Sequence, residues 1–432
     1  MSSTERRPLS ELTEAELETL ENELAAEYET IAAKGLGLDL TRGKPSAAQL
    51  DLSERLLGLP EPGDHMAGKT DVRNYGGIQG LPELRAIFAE LLDVRPEQLY
   101  AEDNASLSVM YDLISFALLC GTTDSPRPWI EDQDRKWICL VPGYDRHFAV
   151  TEKFGFEMLP VEMGPEGPDM DEVERLAADP SVKGMWAVPI YSNPTGLTLS
   201  DHVVERLAKM ETGAPDFRVI WDNAYAVHTL VEDFPKVPGV LEAAASAGHP
   251  NRFWQVASTS KITFAGAGVA FLAAQEGELA WYGKNAGVRT IGPNKVNQLA
   301  HVRFFGDAEG VRQHMQAHRE IIAPKFAASR EALESRLGGY EVASWTDPEG
   351  GYFIDLSVVD GTASEVVSLT AGAGVALTPA GAAYPYGKDP HDRHIRLAPT
   401  MPPLEEVTEA IEVVALCTLL AAVRRAQAGK GK

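Results

Sequence analysis

Cysteine is scarce in this 432-residue chain. The three that occur, Cys120, Cys139 and Cys417, are an odd number and far apart, which excludes a disulfide framework and fits a reducing cytoplasm. No apolar stretch is long enough to span a bilayer. The opening residues Met1 to Arg7 lead into acidic, helix-like sequence instead of an apolar targeting segment, so neither export nor membrane insertion is expected. Basic residues are also in short supply, with 39 Lys and Arg against 63 Asp and Glu and a formal charge of −24. Such a field repels phosphate backbones, and no local basic patch offsets it, so nucleic acid is not an expected partner. Two further signatures are missing. No glycine-rich loop of the dinucleotide-binding kind follows a first strand, and no set of side chains has metal-ligand spacing. His391 and His394, near Asp389 and Asp392, read as a solvated loop with arginines.

What is present is a globular composition, 44% apolar, with room for a large core. Residues 12–34 read as a helix, with Thr13 as N-cap and Glu16 in capping-box spacing. Pro82 marks another helix start. Apolar runs of strand length follow at 137–141, 185–190, 218–221, 254–257 and 268–273, with helical patterns between them at 170–178 and 200–210. Continuous apolar strands alternating with helices are the mark of an α/β sheet, mostly parallel and buried on both faces. Beyond residue 311 the pattern changes to a long helix (311–337), strands near 351–356 and 395–398, and a terminal helix from 403. A second, smaller α+β domain built from both chain ends is the natural expectation. The division expected is 1–55 as an N-terminal arm and part of the small domain, 56–320 as the large domain, and 321–432 as the rest of the small one.

Parallel sheets place ligand sites at the carboxyl ends of their strands. Three polar clusters fall there: Tyr191-Ser192-Asn193-Pro194-Thr195-Gly196, Asp222-Asn223-Ala224-Tyr225 and Ser258-Thr259-Ser260-Lys261. A lysine so placed can act as nucleophile or base when partly desolvated. Asp222 can serve as a helix cap or hold a protonated ring nitrogen. Ser106, Ser108 and the first free amides of the helix predicted over 109–119 can cradle a phosphate, or the serines can simply cap it. Tyr144, after its Pro142-Gly143 turn, can cover a ring or pack in the core. An amine, a carboxylate, an anion cradle and a stacking aromatic together match the needs of pyridoxal phosphate.

These pieces, taken with Thr41-Arg42-Gly43-Lys44-Pro45-Ser46, Met110-Tyr111-Asp112-Leu113, Val141-Pro142-Gly143-Tyr144-Asp145-Arg146-His147-Phe148 and Ile395-Arg396-Leu397-Ala398-Pro399-Thr400, follow one another in register over nearly the whole chain. The sequence resembles the fold type I pyridoxal-phosphate aminotransferases, and more narrowly the aspartate aminotransferase subgroup of actinobacteria. That resemblance implies a large domain with a mostly parallel seven-stranded sheet. It also implies Lys261 as the residue that bonds pyridoxal 5'-phosphate and later moves the substrate proton. Asp222 is expected on the ring nitrogen, Tyr225 and Asn193 on the ring oxygen, and Tyr144 on the ring face. The phosphate falls to Ser106, the Leu107 amide, Ser108 and Ser258. Arg396 would clamp the substrate α-carboxylate, with Gly43 passing close to it and Asn193 beside it. Tyr75 would reach the phosphate of a neighbouring subunit, which implies a homodimer with shared sites.

One departure from the resemblance concerns phosphate. Many relatives carry an arginine about eight residues after the lysine, where this chain has Val269. The phosphate is then expected to rely more on hydroxyls and backbone amides, with Lys295 or Asn294 as a candidate further contact. The implied reaction moves the amine of L-aspartate to 2-oxoglutarate in two half-reactions, giving oxaloacetate and L-glutamate. A distal carboxylate needs a second cation, for which Arg42, Lys44, Arg146 and Lys388 are candidates. Another substrate preference, aromatic or alanine, or a β-lyase activity is the alternative on the same scaffold. A transcription regulator built on such a domain would carry a DNA-binding domain before it, whereas the about 40 residues preceding Gly43 are acidic.

Overall fold

The computed structural model describes residues 6–430. Its centre is a sheet in the order Leu99–Ala101, Ala270–Ala273, Phe253–Ser258, Arg218–Asp222, Val182–Ala187, Lys136–Val141, Glu157–Gly164 and Gly167–Pro168. The five strands from Phe253–Ser258 to Glu157–Gly164 run parallel, and Ala270–Ala273 is antiparallel to both its neighbours. The fold is therefore α/β with a mostly parallel sheet, but with eight strands where seven were expected. The additional one is a two-residue return, Gly167–Pro168, antiparallel to the end of Glu157–Gly164. Glycine and proline carry no strand signal, and Gly167 makes the return at φ 138°.

Alternate residues of each strand enter different cores, as the period of two requires. Ile138, Leu140, Met185, Val219, Trp221 and Phe253 join one cluster. Trp137, Cys139, Val141, Trp186, Ile220, Trp254 and Val256 join the cluster on the opposite face. A third core combines Leu17, Leu24 and Leu40 near the start of the chain with residues from Phe326 to Val423. It underlies a three-stranded sheet of Ala343–Trp345, Ile354–Val358 and His394–Leu397. The helix Ala308–Leu337 serves two cores: Val311, Met315 and Ile322 join the first, and Phe326, Leu333 and Leu337 join the third, with Pro324 between.

Thr13 and Glu16 form the expected capping box at the start of Glu14–Ala32. Ser200 caps Asp201–Lys209 as expected. The strand expected over 185–190 lies at Val182–Ala187 instead. Val188 and Ile190 are buried, but they lie past the paired edge, so the apolar run outlasts the hydrogen bonding. His394 is not a solvated loop residue: it opens a strand, and its Nδ1 lies 2.8 Å from the buried Asp355 carboxylate. Among the described residues no helix is long and apolar enough to cross a membrane.

Candidate active site

The carboxyl ends of the parallel strands open into a cavity of about 580 Å³. It brings together Gly43, Ser106, Leu107, Tyr144, Asn193, Asp222, Tyr225, Ser258, Lys261 and Arg396. Residues more than 350 positions apart thus meet, because the loop at 41–44 and the strand His394–Leu397 fold over the sheet edge.

Asp222 ends its strand on the cavity floor and is 3% exposed. One oxygen, Oδ2, lies 3.0 Å from His147 Nε2, while the buried Oδ1 has no partner. The His147 ring stacks on Trp186 at 4.4 Å and 8°. A buried carboxylate oxygen without a partner is costly unless a donor meets it, so this atom awaits a cation or an N–H from the cavity. His147 was not singled out from the sequence. Its signal was its place three residues after Tyr144, which puts both on one side of the helix Asp145–Lys153.

Lys261 Nζ sits 5.0 Å from the centre of the Tyr225 ring. Burial holds its amine below the usual lysine range, opposed by the Asp222 charge, which favours the neutral, nucleophilic form. Burial, with Tyr144 and Asp222 nearby, drives the Tyr225 phenol well above its ordinary value, so it stays a neutral donor. Tyr144 is pushed up to about 12, again chiefly by burial.

The helix Ser106–Cys120 points its first turn at the cavity, and no side chain caps it. Its free amides, with Ser106, Ser258 and Ser260 around them, form an anion cradle. Ser108 is exposed and does not line the cavity, since the next step of the helix turns it away. Val269 is buried and supplies no charge. Lys295 and Asn294 do not line the cavity either: they share a second depression with Tyr75, which is 84% exposed.

Arg396 reaches in from the smaller sheet. Its Nη1 donates to Asp145 Oδ1 at 3.2 Å and to Asn193 Oδ1 at 3.4 Å, and its Nη2 to Thr378 Oγ1 at 3.2 Å. The guanidinium lies 5.0 Å over the Phe353 ring. Gly43 packs on that ring so closely that a Cβ would stand 2.5 Å from Phe353 Cζ. Asp145, Thr378 and Phe353 are site residues the sequence did not reveal. Arg42, Lys44 and Arg146 also line the cavity, and no ion pair engages them among the described residues. Lys388 lies elsewhere.

An unpartnered carboxylate oxygen, an uncapped helix start, a desolvated lysine and an aromatic flank fit pyridoxal phosphate in every part. Fold and site together define a fold type I pyridoxal-phosphate aminotransferase. The model of the aspartate amino-transferase family matches residues 12–430, and the chain belongs to that family. It is 55% identical to the aspartate aminotransferase of Corynebacterium glutamicum over 93% of each chain. A crystal structure of an aspartate transaminase from the same organism superposes with a TM-score of 0.96 at 53% identity, covering 97% of this chain and 99% of that one. The fold extends to an α-aminoadipate aminotransferase of Thermus thermophilus, with a TM-score of 0.71 at 22% identity over 93% and 95% of the two chains.

Proposed function

We propose that the protein is a pyridoxal 5'-phosphate-dependent aspartate aminotransferase, moving the amino group of L-aspartate to 2-oxoglutarate in two alternating half-reactions. The observation that carries the dicarboxylate preference is the set of three cations without ion-pair partners, Arg42, Lys44 and Arg146, lining the cavity that Arg396 also enters. A monocarboxylic substrate has no use for a second cation. The identity to the Corynebacterium enzyme supports the same reading.

Pyridoxal phosphate, when bound, supplies a carbonyl carbon for the amine and a cationic ring that accepts electrons released at the substrate Cα. The chain's own residues do the rest. Asp222 Oδ1 would accept the ring N–H, while His147 holds the other oxygen. Ser106, the Leu107 amide and Ser258 would receive the phosphate, and Tyr144 would cover the ring. Tyr225 and the free amide hydrogens of Asn193 serve the ring oxygen. Arg396 binds the α-carboxylate through its fork, a task that planar guanidinium geometry suits. Lys261 Nζ, held largely neutral by burial, would take the proton from the substrate Cα and act as its carrier.

A homodimer belongs to this reading. Tyr75, Ile291 and Val296 form an exposed apolar group around the second depression, a surface that a second copy would cover. A cytoplasmic setting belongs to it as well, supported by the free thiols of Cys139 and Cys417. Transamination rates with aspartate, alanine and phenylalanine as donors to 2-oxoglutarate test the specificity. Aspartate should lead by at least an order of magnitude, about the worth of one well-made charge pair. Equal or faster turnover of alanine or phenylalanine would assign the enzyme to another specificity.

A further inference from the structure

We propose that Gln49 and Tyr352 are positioning residues that fix the backbone carrying Lys261, tying it to the short helix Ala47–Asp51 and to the segment between the first two strands of the smaller sheet. The inference rests on the reading of Lys261 as the residue that bonds the cofactor.

Gln49, Tyr352 and His318 are wholly buried, and their hydrogens can be assigned one by one. Gln49 lies in the short helix Ala47–Asp51, where its Oε1 accepts from the Ser46 amide at 3.0 Å in a capping box. Its other end, Nε2, must therefore donate, and it does so twice: to Tyr352 OH at 3.0 Å and to His318 Nδ1 at 3.0 Å. The Tyr352 hydroxyl, already an acceptor, is left to donate to the Lys261 carbonyl at 3.3 Å.

The histidines complete the clamp. His318 accepts at Nδ1, so the neutral ring carries its hydrogen on Nε2, which lies 3.1 Å from His314 Nε2. His314 Nε2 in turn lies 2.8 Å from the Ile262 carbonyl oxygen. Burial lowers His318 to about 3 and His314 below its usual value, so both rings are neutral at working pH. The Lys261 carbonyl thus receives the Tyr352 hydroxyl, which Gln49 of the short helix Ala47–Asp51 holds in turn, while His314 and His318 of the helix Ala308–Leu337 meet the Ile262 carbonyl and the Gln49 amide respectively. None of these side chains lines the active-site cavity. Their effect on chemistry passes through the lysine's backbone.

Tyr352→Phe removes one donor and keeps the ring. The variant should fold with a thermal midpoint lowered by no more than a few degrees, lower kcat about threefold to tenfold, and leave KM for the amino donor within about twofold. The rate at which cofactor-free protein captures pyridoxal phosphate, read as growing visible absorbance, should fall by a similar factor. If Tyr352→Phe does not fold, Gln49→Glu carries the same readings, since it keeps the Ser46 bonds and loses both donors. Capture and kcat at wild-type values overturn the proposal, as does a rise confined to KM. Wild-type protein that captures no cofactor would overturn the reading of Lys261 itself, a distinct outcome.

Discussion

His147 Nε2 stands 3.0 Å from Asp222 Oδ2, both side chains almost fully buried, so that only Oδ1 of the aspartate is left for the cavity. The histidine fixes the carboxylate's rotation and leaves its free oxygen aimed at one place. His147→Ala removes that orientation and one hydrogen bond to a charged group. We expect kcat/KM for aspartate to fall about tenfold to a hundredfold and the cofactor to dialyse away faster. Unchanged retention and turnover would make the contact one of packing only.

Gly43→Ala tests the carboxylate clamp from behind. The new Cβ would stand 2.5 Å from Phe353 Cζ, and that ring supports the Arg396 guanidinium. Overpacking of this kind costs about 1–3 kcal/mol. Its effect here is displacement of the guanidinium, so KM should rise about tenfold for both the amino donor and the oxo acid. Steady-state kinetics with each substrate varied in turn will show it, and an unchanged KM would mean that Phe353 yields without moving Arg396.

The second cation can be found by single substitution. Arg42→Ala, Lys44→Ala and Arg146→Ala each remove a cavity-lining charge that has no ion-pair partner among the described residues. One of them should raise KM for aspartate by about tenfold or more while leaving alanine turnover unaffected. If aspartate and alanine respond alike in all three, these cations do not read the distal carboxylate.

Glu102 gives a pH-dependent prediction away from the chemistry. Burial pushes its carboxyl up to about 7, with Arg289 opposing, and the side chain is 3% exposed. An acid whose folded value is raised stabilises the fold fully below its unfolded value and loses that contribution as pH rises through about 7. Glu102→Gln should therefore be more stable than wild type near pH 8, by about 2–3 kcal/mol, and indistinguishable near pH 4. Urea unfolding at the two pH values measures this, and parallel curves for variant and wild type would contradict it.

Much of the site was legible because its residues follow continuous apolar strands. Asp222 and Lys261 could be placed at strand ends from the runs 218–221 and 254–257 alone. The anion cradle was legible as a helix start, where Ser106 lines the cavity and Ser108 is exposed. The partners of Arg396 were hidden, because Asp145, Thr378 and Phe353 sit in three separate segments and meet only through tertiary folding. Lys295 stands beside Tyr75, outside the cavity that Lys261 lines. The strand Glu157–Gly164 escaped notice because its buried positions are interrupted by glutamate and proline on the other side.

The most direct test of the account is an absorbance spectrum of purified protein reconstituted with pyridoxal phosphate, before and after L-aspartate is added without an oxo acid. Visible absorbance from the lysine-bound cofactor should appear and then convert to the shorter-wavelength band of the aminated form. Lys261→Ala should show no such conversion at a comparable rate. A wild-type spectrum without cofactor absorbance, or one that aspartate leaves unchanged, would contradict the central claim.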